Sequence, residues 1–209
     1  MIDSYDKLTV GKFMEISEVL NAGMDEVDSN SMVIAILSDM DVDDVLNLPL
    51  GAYNHLLQKT GFLMEQPKTR IIADRYRLGG MDLDVMLNLK NMTAGQYIDY
   101  QHFIKDPEKY MVELLSVFLI PRGKKYGDGY EIMDVHKVIR EHLSIVDAVS
   151  MSAFFLTLSR TLIKVTLTSL TKDLKKMRKK TKNQEEIRKL EQAIANLENV
   201  GDGLHLLTE

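Results

Sequence analysis

The sequence predicts a mainly α-helical protein with one small β-hairpin and an antiparallel helical hairpin near its C-terminal end. Apolar residues recur at helical spacing over most of the 209 residues. Alternating residues around Gly79-Gly80 instead predict a two-residue β-hairpin near residues 71–89. Two heptad-like runs around a polar turn predict the helical hairpin. The expected organisation is a helical body over residues 1–160, a helical hairpin over 161–200 and a tail over 201–209.

Capping residues and helix breakers place the first helices of the body. Thr9 is a candidate N-cap for the first helix, and Asp41 is a candidate N-cap for a later short one. Pro49 is expected to start the next helix and Gly61 to end it.

The second half of the body shows two further capping patterns. Thr93 with Gln96 predicts a capping box, and Ser144 with Asp147 resembles a second one. Between them, "EKYMVELLSVFLI" is expected to form one helix that continues up to Pro121.

Composition excludes several classes of protein. The chain is 45% apolar and 27% charged, as is usual for a globular protein and unlike a disordered one. It contains no cysteine, which excludes disulfides and thiolate metal sites. The N-terminal residues lack the pattern of a signal peptide, and no apolar run is long enough to span a bilayer.

The net charge of −5 conceals a basic segment, which we call the basic arm. Residues 172–182 hold seven Lys or Arg and one acid, whereas the rest of the chain carries 19 basic and 30 acidic residues. Three interpretations remain open: a solvated face beside an acidic neighbour, a contact with an acidic surface of another subunit, or a contact with nucleic acid. The segment lacks aromatic residues for stacking on bases. Its basic residues are Lys172, Lys175, Lys176, Arg178, Lys179, Lys180 and Lys182.

The stretch "FLIPRGKKYGDGYE", residues 118–131, is the strongest candidate for a functional site, and we call it the cationic loop. It fails the test for a phosphate-binding P-loop because Gly123-Lys124 is followed by Lys125 rather than Ser or Thr. It is either a helix connector shaped by its glycines or a loop that contacts another protein. The candidate contact residues are Arg122, Lys124, Lys125, Tyr126 and Tyr130.

No other pattern predicts catalysis, a cofactor or a metal. "DMDVDD", residues 39–44, begins like a calcium-binding loop but lacks its glycine and its final glutamate. His136 and His142 are six residues apart and cannot share one helix face as ligands. The serines show no nucleophile-elbow motif.

Several phrases resemble a known group of proteins. They are "YDKLTVGKFMEI" (5–16), "LSDMDVDDVLNLPLGAYNHLL" (37–57), "RYRLGGMDLDVMLNLKNMTAGQYIDYQHF" (75–103), the cationic loop and "SAFFL" (152–156). Together they resemble small proteins of the tail gene module of tailed phages that infect gut Bacteroidetes, including crAss-like phages. The threonine-capped first helix and the helices after it also resemble phage tail assembly chaperones. The resemblance covers roughly residues 5–160 and leaves out the helical hairpin.

The resemblance implies a non-enzymatic role without a cofactor. The first expectation is a virion protein of the tail or head–tail connector, a ring-type subunit that contacts copies of itself and other tail or portal-proximal proteins. One alternative is a tail assembly chaperone that is not retained in the virion. The other is a nucleic-acid-binding protein that uses the basic arm.

Overall fold

The computed structural model describes residues 1–88, 91–107, 109–181 and 184–205. It confirms a mainly helical chain, 63% helix, with one small antiparallel sheet and a C-terminal helical hairpin. The chain divides into two compact units, Met1–Ser152 and Ala153–Glu209. No helix among the described residues is long and apolar enough to cross a membrane.

Among the described residues, seven helices lie within the first unit, and an eighth begins there. Two short 3₁₀ turns, Tyr5–Lys7 and Thr60–Met64, flank the early helices. The helices are α1 (Val10–Asn21), α2 (Glu26–Ser38), α3 (Val42–Leu46), α4 (Leu50–Lys59), α5 (Ala94–Phe103), α6 (Met111–Ser116), α7 (Ile132–His142) and α8 (Ile145–Lys180).

The predicted N-cap residues Thr9 and Thr93 form side-chain hydrogen bonds at the starts of their helices. The side chain of Thr9 accepts a hydrogen bond from the backbone N–H of Lys12, and α1 begins at the next residue. Thr93 and Gln96 form both bonds of a capping box at the start of α5. Asp41 occupies the N-cap of α3 without a side-chain bond.

The proline and glycine boundaries differ slightly from the expectation. Pro49 is the N-cap residue of α4 rather than its first helical residue. Gly61 does not end α4, which stops at Lys59 and is followed by the 3₁₀ turn. A glycine with ordinary φ is compatible with the tighter 3₁₀ turn, so the chain keeps winding past it.

The sheet has three antiparallel strands in the order β1 (Arg75–Leu78), β2 (Met81–Val85) and β3 (Leu119–Pro121). Gly79 and Gly80, both with positive φ, make the two-residue turn between β1 and β2, as expected. A Cβ on Gly79 would lie 2.5 Å from Cδ2 of His142, so α7 packs closely against this turn.

The third strand corrects the helix expected to continue up to Pro121. That helix stops at Ser116, and Leu119–Pro121 pairs with β2 instead. Phe118 and Leu119 are fully buried, and their apolar run fits a buried strand as well as a helix. The strand is favoured because β2 offers a free edge to pair with.

The core of the first unit lies where α1, α2, α6, α7 and the start of α8 meet. Arg140 of α7 lies so close to Gly11 of α1 that a Cβ there would be 2.7 Å from its Cγ. Each large apolar side chain that is fully buried in this core stabilises the fold by about 1.5–3 kcal/mol. The largest fully buried ones include Leu8, Ile16, Ile34, Leu37, Leu115, Phe118, Ile139, Leu143, Ile145 and Met151.

The second unit contains the helical hairpin, made by the later part of α8 and by α9 (Gln184–His205). Ile194 of α9 is buried, and Leu174 and Leu190 are half-buried. The start of the expected tail is helical, since α9 continues to His205. Residues 206–209 lie outside the described part of the chain.

Candidate protein-contact site

The cationic loop leaves the sheet directly from β3. The backbone N–H of Arg122 donates to the carbonyl of Asp82 across 2.9 Å, so the ladder between β2 and β3 extends one bond past the strand. The N–H of Lys124 then donates to the carbonyl of Pro121, also across 2.9 Å. The first residues of the loop are therefore fixed by backbone hydrogen bonds.

A tight turn forms the middle of the loop. Lys125 and Asp128 pair as an isolated bridge, with the N–H of Asp128 donating to the carbonyl of Lys125 across 3.0 Å. Gly127 within this turn has φ of 71°, a left-handed conformation that a side chain disfavours. The glycines that the sequence singled out thus shape the backbone.

The two tyrosines of the loop are half-buried and hold the turn in place. The hydroxyl of Tyr126 donates to Oδ2 of Asp99 in α5 across 2.8 Å. Burial and this bond to a carboxylate raise the pKa of Tyr126 far above its ordinary value, so the phenol stays protonated. The hydroxyl of Tyr130 accepts from the N–H of Gly127, and burial raises the pKa of Tyr130 as well.

The three basic side chains of the loop, Arg122, Lys124 and Lys125, are exposed. Lys124 lies over Gly129, where an added Cβ would be 3.3 Å from Nζ. Within the described residues, no carboxylate lies within 4.0 Å of any of the three charges. The loop therefore presents three cations on a backbone that is already ordered, while its tyrosines face inward.

The basic arm occupies the last turns of α8 within the second unit. Its described Lys and Arg residues are all exposed. Arg178 lies 3.4 Å from Glu191 of α9, and Lys176 lies 3.5 Å from Asp173. Lys182 falls outside the described residues.

An ion pair in the first unit, between the exposed Arg70 and the buried Asp147, was not predicted from the sequence. Arg70 binds both carboxylate oxygens of Asp147 through Nε and a terminal nitrogen, and Nε lies 2.8 Å from Oδ1. Ser144 and Tyr76 also donate to this carboxylate, across 2.8 and 3.2 Å. Burial alone would raise the pKa of Asp147, but the bonds from Arg70 and Ser144 hold it below its ordinary value.

The same arginine fixes an extended segment, residues 66–74, which we call the strap. The backbone N–H of Arg70 donates to Oγ of Ser150 across 2.9 Å. Beside the strap lies an open cleft of about 310 Å³, lined by two aromatic rings and by charges of both signs. Its charged lining residues are Asp6, Glu65, Lys68 and Arg70, two of each sign, so the cleft does not favour a ligand of one charge.

The histidines and acids singled out in the sequence form no metal-binding cluster in the described part of the chain. Nε2 of His136 lies 3.0 Å from Oγ of Ser116, which joins α7 to α6 in the interior. Burial lowers the pKa of His136, so its ring is neutral near pH 7. Among the described residues, no group of three or more His, Asp or Glu side chains could hold a metal ion.

Comparison with protein-family models, with curated proteins and with solved structures returned no match to this chain.

Proposed function

We propose that the protein is a non-enzymatic structural subunit of the tail or head–tail connector of a tailed phage. In this role it forms a ring-type homo-oligomer and contacts other tail or portal-proximal proteins. The sequence resemblance suggests the setting, and the cationic loop carries the argument for a role in protein contacts.

The ordered backbone of the loop supports such a role. Pro121, the glycine turn and the bond from Tyr126 to Asp99 fix its path before any partner arrives. A preorganised loop loses little conformational entropy on docking. Its three exposed cations complement an acidic partner, and the rest of this chain is itself acidic, with 30 acidic and 19 basic residues outside the basic arm. Such complementarity mainly sets orientation and the rate of encounter.

Mass spectrometry of purified particles of the encoding phage tests the setting. The proposal expects the protein in fixed ratio to the other tail proteins. Its absence from particles that contain the tail would contradict a structural role and would leave the assembly chaperone as the better explanation.

Charge reversal tests the role of the loop. Lys124→Glu with Lys125→Glu should leave the fold intact, since exposed substitutions usually cost under about 0.5 kcal/mol. Assembly, followed by light scattering over a salt series, should weaken in the variant and fall with salt in the wild type. The matched control is Lys59→Glu with Lys137→Glu, two exposed lysines outside the loop with the same change of net charge. Equal assembly by all three proteins would show that the lysines of the loop do not contact a partner and that the loop is only a connector.

Nucleic-acid binding is a second candidate, favoured by the arrangement of the basic arm. Lys172, Lys175, Lys176 and Lys179 follow the spacing that places side chains on one helix face, and all are exposed. Anisotropy of labelled duplex DNA over a salt series tests it, because phosphate contacts release counterions and give a steep salt dependence. Unchanged binding after Lys172→Glu with Lys179→Glu would exclude the arm as the contact.

A further inference from the structure

The apolar stripe of α8 in the helical hairpin is wider than its contact with α9. Arg178 pairs with Glu191 and thereby marks the side of α8 that faces α9. Leu174, one turn earlier, is half-buried on this side. Leu170 and Met177 lie next to Leu174 on the side away from Arg178, and they are 47% and 57% exposed. The hairpin alone therefore leaves a strip of its apolar surface in water.

We propose that this strip is covered by the same strip of a second copy of the chain, so that two helical hairpins pair into a four-helix bundle. Leu170 and Met177 are seven residues apart, the repeat of a coiled-coil contact, which specifies a helix as the partner. The inference concerns the second unit alone and does not depend on the phage role.

The strip is complementary to itself when the two α8 helices run antiparallel. A twofold axis beside Leu174 places Leu170 of one copy against Met177 of the other, and the reverse contact forms at the same time. Each exposed apolar residue thus meets an apolar residue, and both strips are buried by one interface.

The charges beside the strip favour this antiparallel arrangement over a parallel one. Residues 172–180 carry six Lys or Arg and one acid, so parallel helices would bring two strongly basic segments together. Antiparallel helices stagger these segments, so that residues 177–180 of one copy lie beside the uncharged residues 167–170 of the other and only residues 172–175 overlap. Asp173, which pairs with Lys176 in its own chain, comes near the basic residues of the other copy.

Sedimentation of the full-length protein tests whether the dimer forms. The wild type should dimerise, and Leu170→Glu or Met177→Glu should weaken the dimer by roughly tenfold or more, because each places a charge in an apolar contact. Lys179→Glu is the control, since Lys179 lies on the opposite face of α8 and should leave the dimer unchanged. Circular dichroism confirms that each variant keeps its helices. A wild type that stays monomeric to about 100 μM, near the weak limit of specific homodimers, would overturn the proposal.

Cross-linking tests the direction of the pairing, and the absence of cysteine from the chain makes single substitutions specific. Mild oxidation of a mixture of Leu170→Cys and Met177→Cys chains should give mainly the mixed disulfide dimer. Lys179→Cys should give no comparable product. Each cysteine variant joining chiefly to itself would show a parallel pair and would overturn the antiparallel arrangement.

Discussion

Tyr126 of the cationic loop donates a hydrogen bond to Asp99 of α5 across 2.8 Å. This bond attaches the turn of the loop to the helix beside it. The loop is therefore held at two points: the backbone of Arg122 bonds to the sheet, and Tyr126 bonds to α5. A loop fixed in this way can present charge without first becoming ordered.

Replacing Tyr126 with Phe should increase the motion of the loop while lowering the unfolding free energy of the protein only slightly. The substitution keeps the half-buried ring but removes the bond to Asp99, which costs about 0.5–1.5 kcal/mol. Hydrogen exchange of the amides of residues 122–130 should become faster, while the amides of α1 stay unchanged. Tyr97→Phe is a control in the same region, since Tyr97 is 48% exposed. Equal exchange in both variants would show that the Asp99 bond does not order the loop.

Gly79→Ala and Gly80→Ala form a matched pair at the β-hairpin turn. Both glycines have positive φ, at 54° and 87°, so each substitution carries a backbone cost of about 1 kcal/mol or more. Only at Gly79 would the added Cβ collide with His142, whereas at Gly80 no atom lies within 4 Å of it. Gly79→Ala should therefore lower the unfolding free energy more than Gly80→Ala does. Equal losses in denaturant unfolding would contradict the close packing of α7 on the turn.

The pair of Arg70 and Asp147 should make stability depend on pH in the acid range. The folded pKa of Asp147 is lowered, so its contribution is fully present above its ordinary value of 3.8. That contribution is lost as the pH falls below 3.8 through the folded pKa. Unfolding free energies measured from pH 5 to pH 2 should show this loss in the wild type.

Arg70→Ala should reduce that acid-dependent loss because it removes the main partner of the carboxylate. At pH 7 we expect it to cost about 1–3 kcal/mol, because Arg70 is 48% exposed and because Ser144 and Tyr76 still bind Asp147. Lys68→Ala, which changes a charge on the same strap, is the control. Parallel pH curves for wild type and Arg70→Ala would show that the pair does not set the acid sensitivity.

Two truncations in the helical hairpin should differ in cost. Ile194 is 7% exposed, so Ile194→Ala should destabilise the second unit by about 2–4 kcal/mol. Leu174 is only half-buried, and Leu174→Ala should cost less, about 1–2 kcal/mol. Thermal unfolding followed by helical circular dichroism measures both. Both variants are measured on dilute, monomeric protein, so that the proposed second chain does not cover Leu174, and a larger loss for Leu174→Ala would contradict the burial of Ile194 in the hairpin.

The features that the sequence predicted correctly depend on residues close together in the chain. Thr9 caps α1 through a residue three positions away, and the capping box of Thr93 and Gln96 spans the same distance. The turn at Gly79-Gly80 needs only the positive φ that glycine allows. Each signal can be interpreted without knowing the rest of the fold.

The features that were missed depend on distant partners. Leu119–Pro121 became a strand because β2, more than thirty residues earlier, had an unpaired edge. Nothing in its local pattern separates a buried strand from a buried helix. The bond of Arg70 to Asp147 joins residues 77 positions apart, and an isolated arginine in a polar segment gives no sign of it. The basic residues of the cationic loop were found from composition. The bond from Tyr126 to Asp99 could not be predicted, because it depends on where α5 lies in the fold.

The attachment of the strap has a consequence for synthesis on the ribosome. Arg70 leaves the ribosome 77 residues before Asp147 does, which at cellular rates of about 5–20 residues per second is an interval of about 4–15 s. Helices α1 and α2 have their own caps and can form during this interval. The strap cannot dock until the start of α8 has been made. A nascent chain that stops before Asp147 leaves Arg70 without its bidentate partner and the strap undocked, so the first unit matures only when translation has passed its C-terminal boundary.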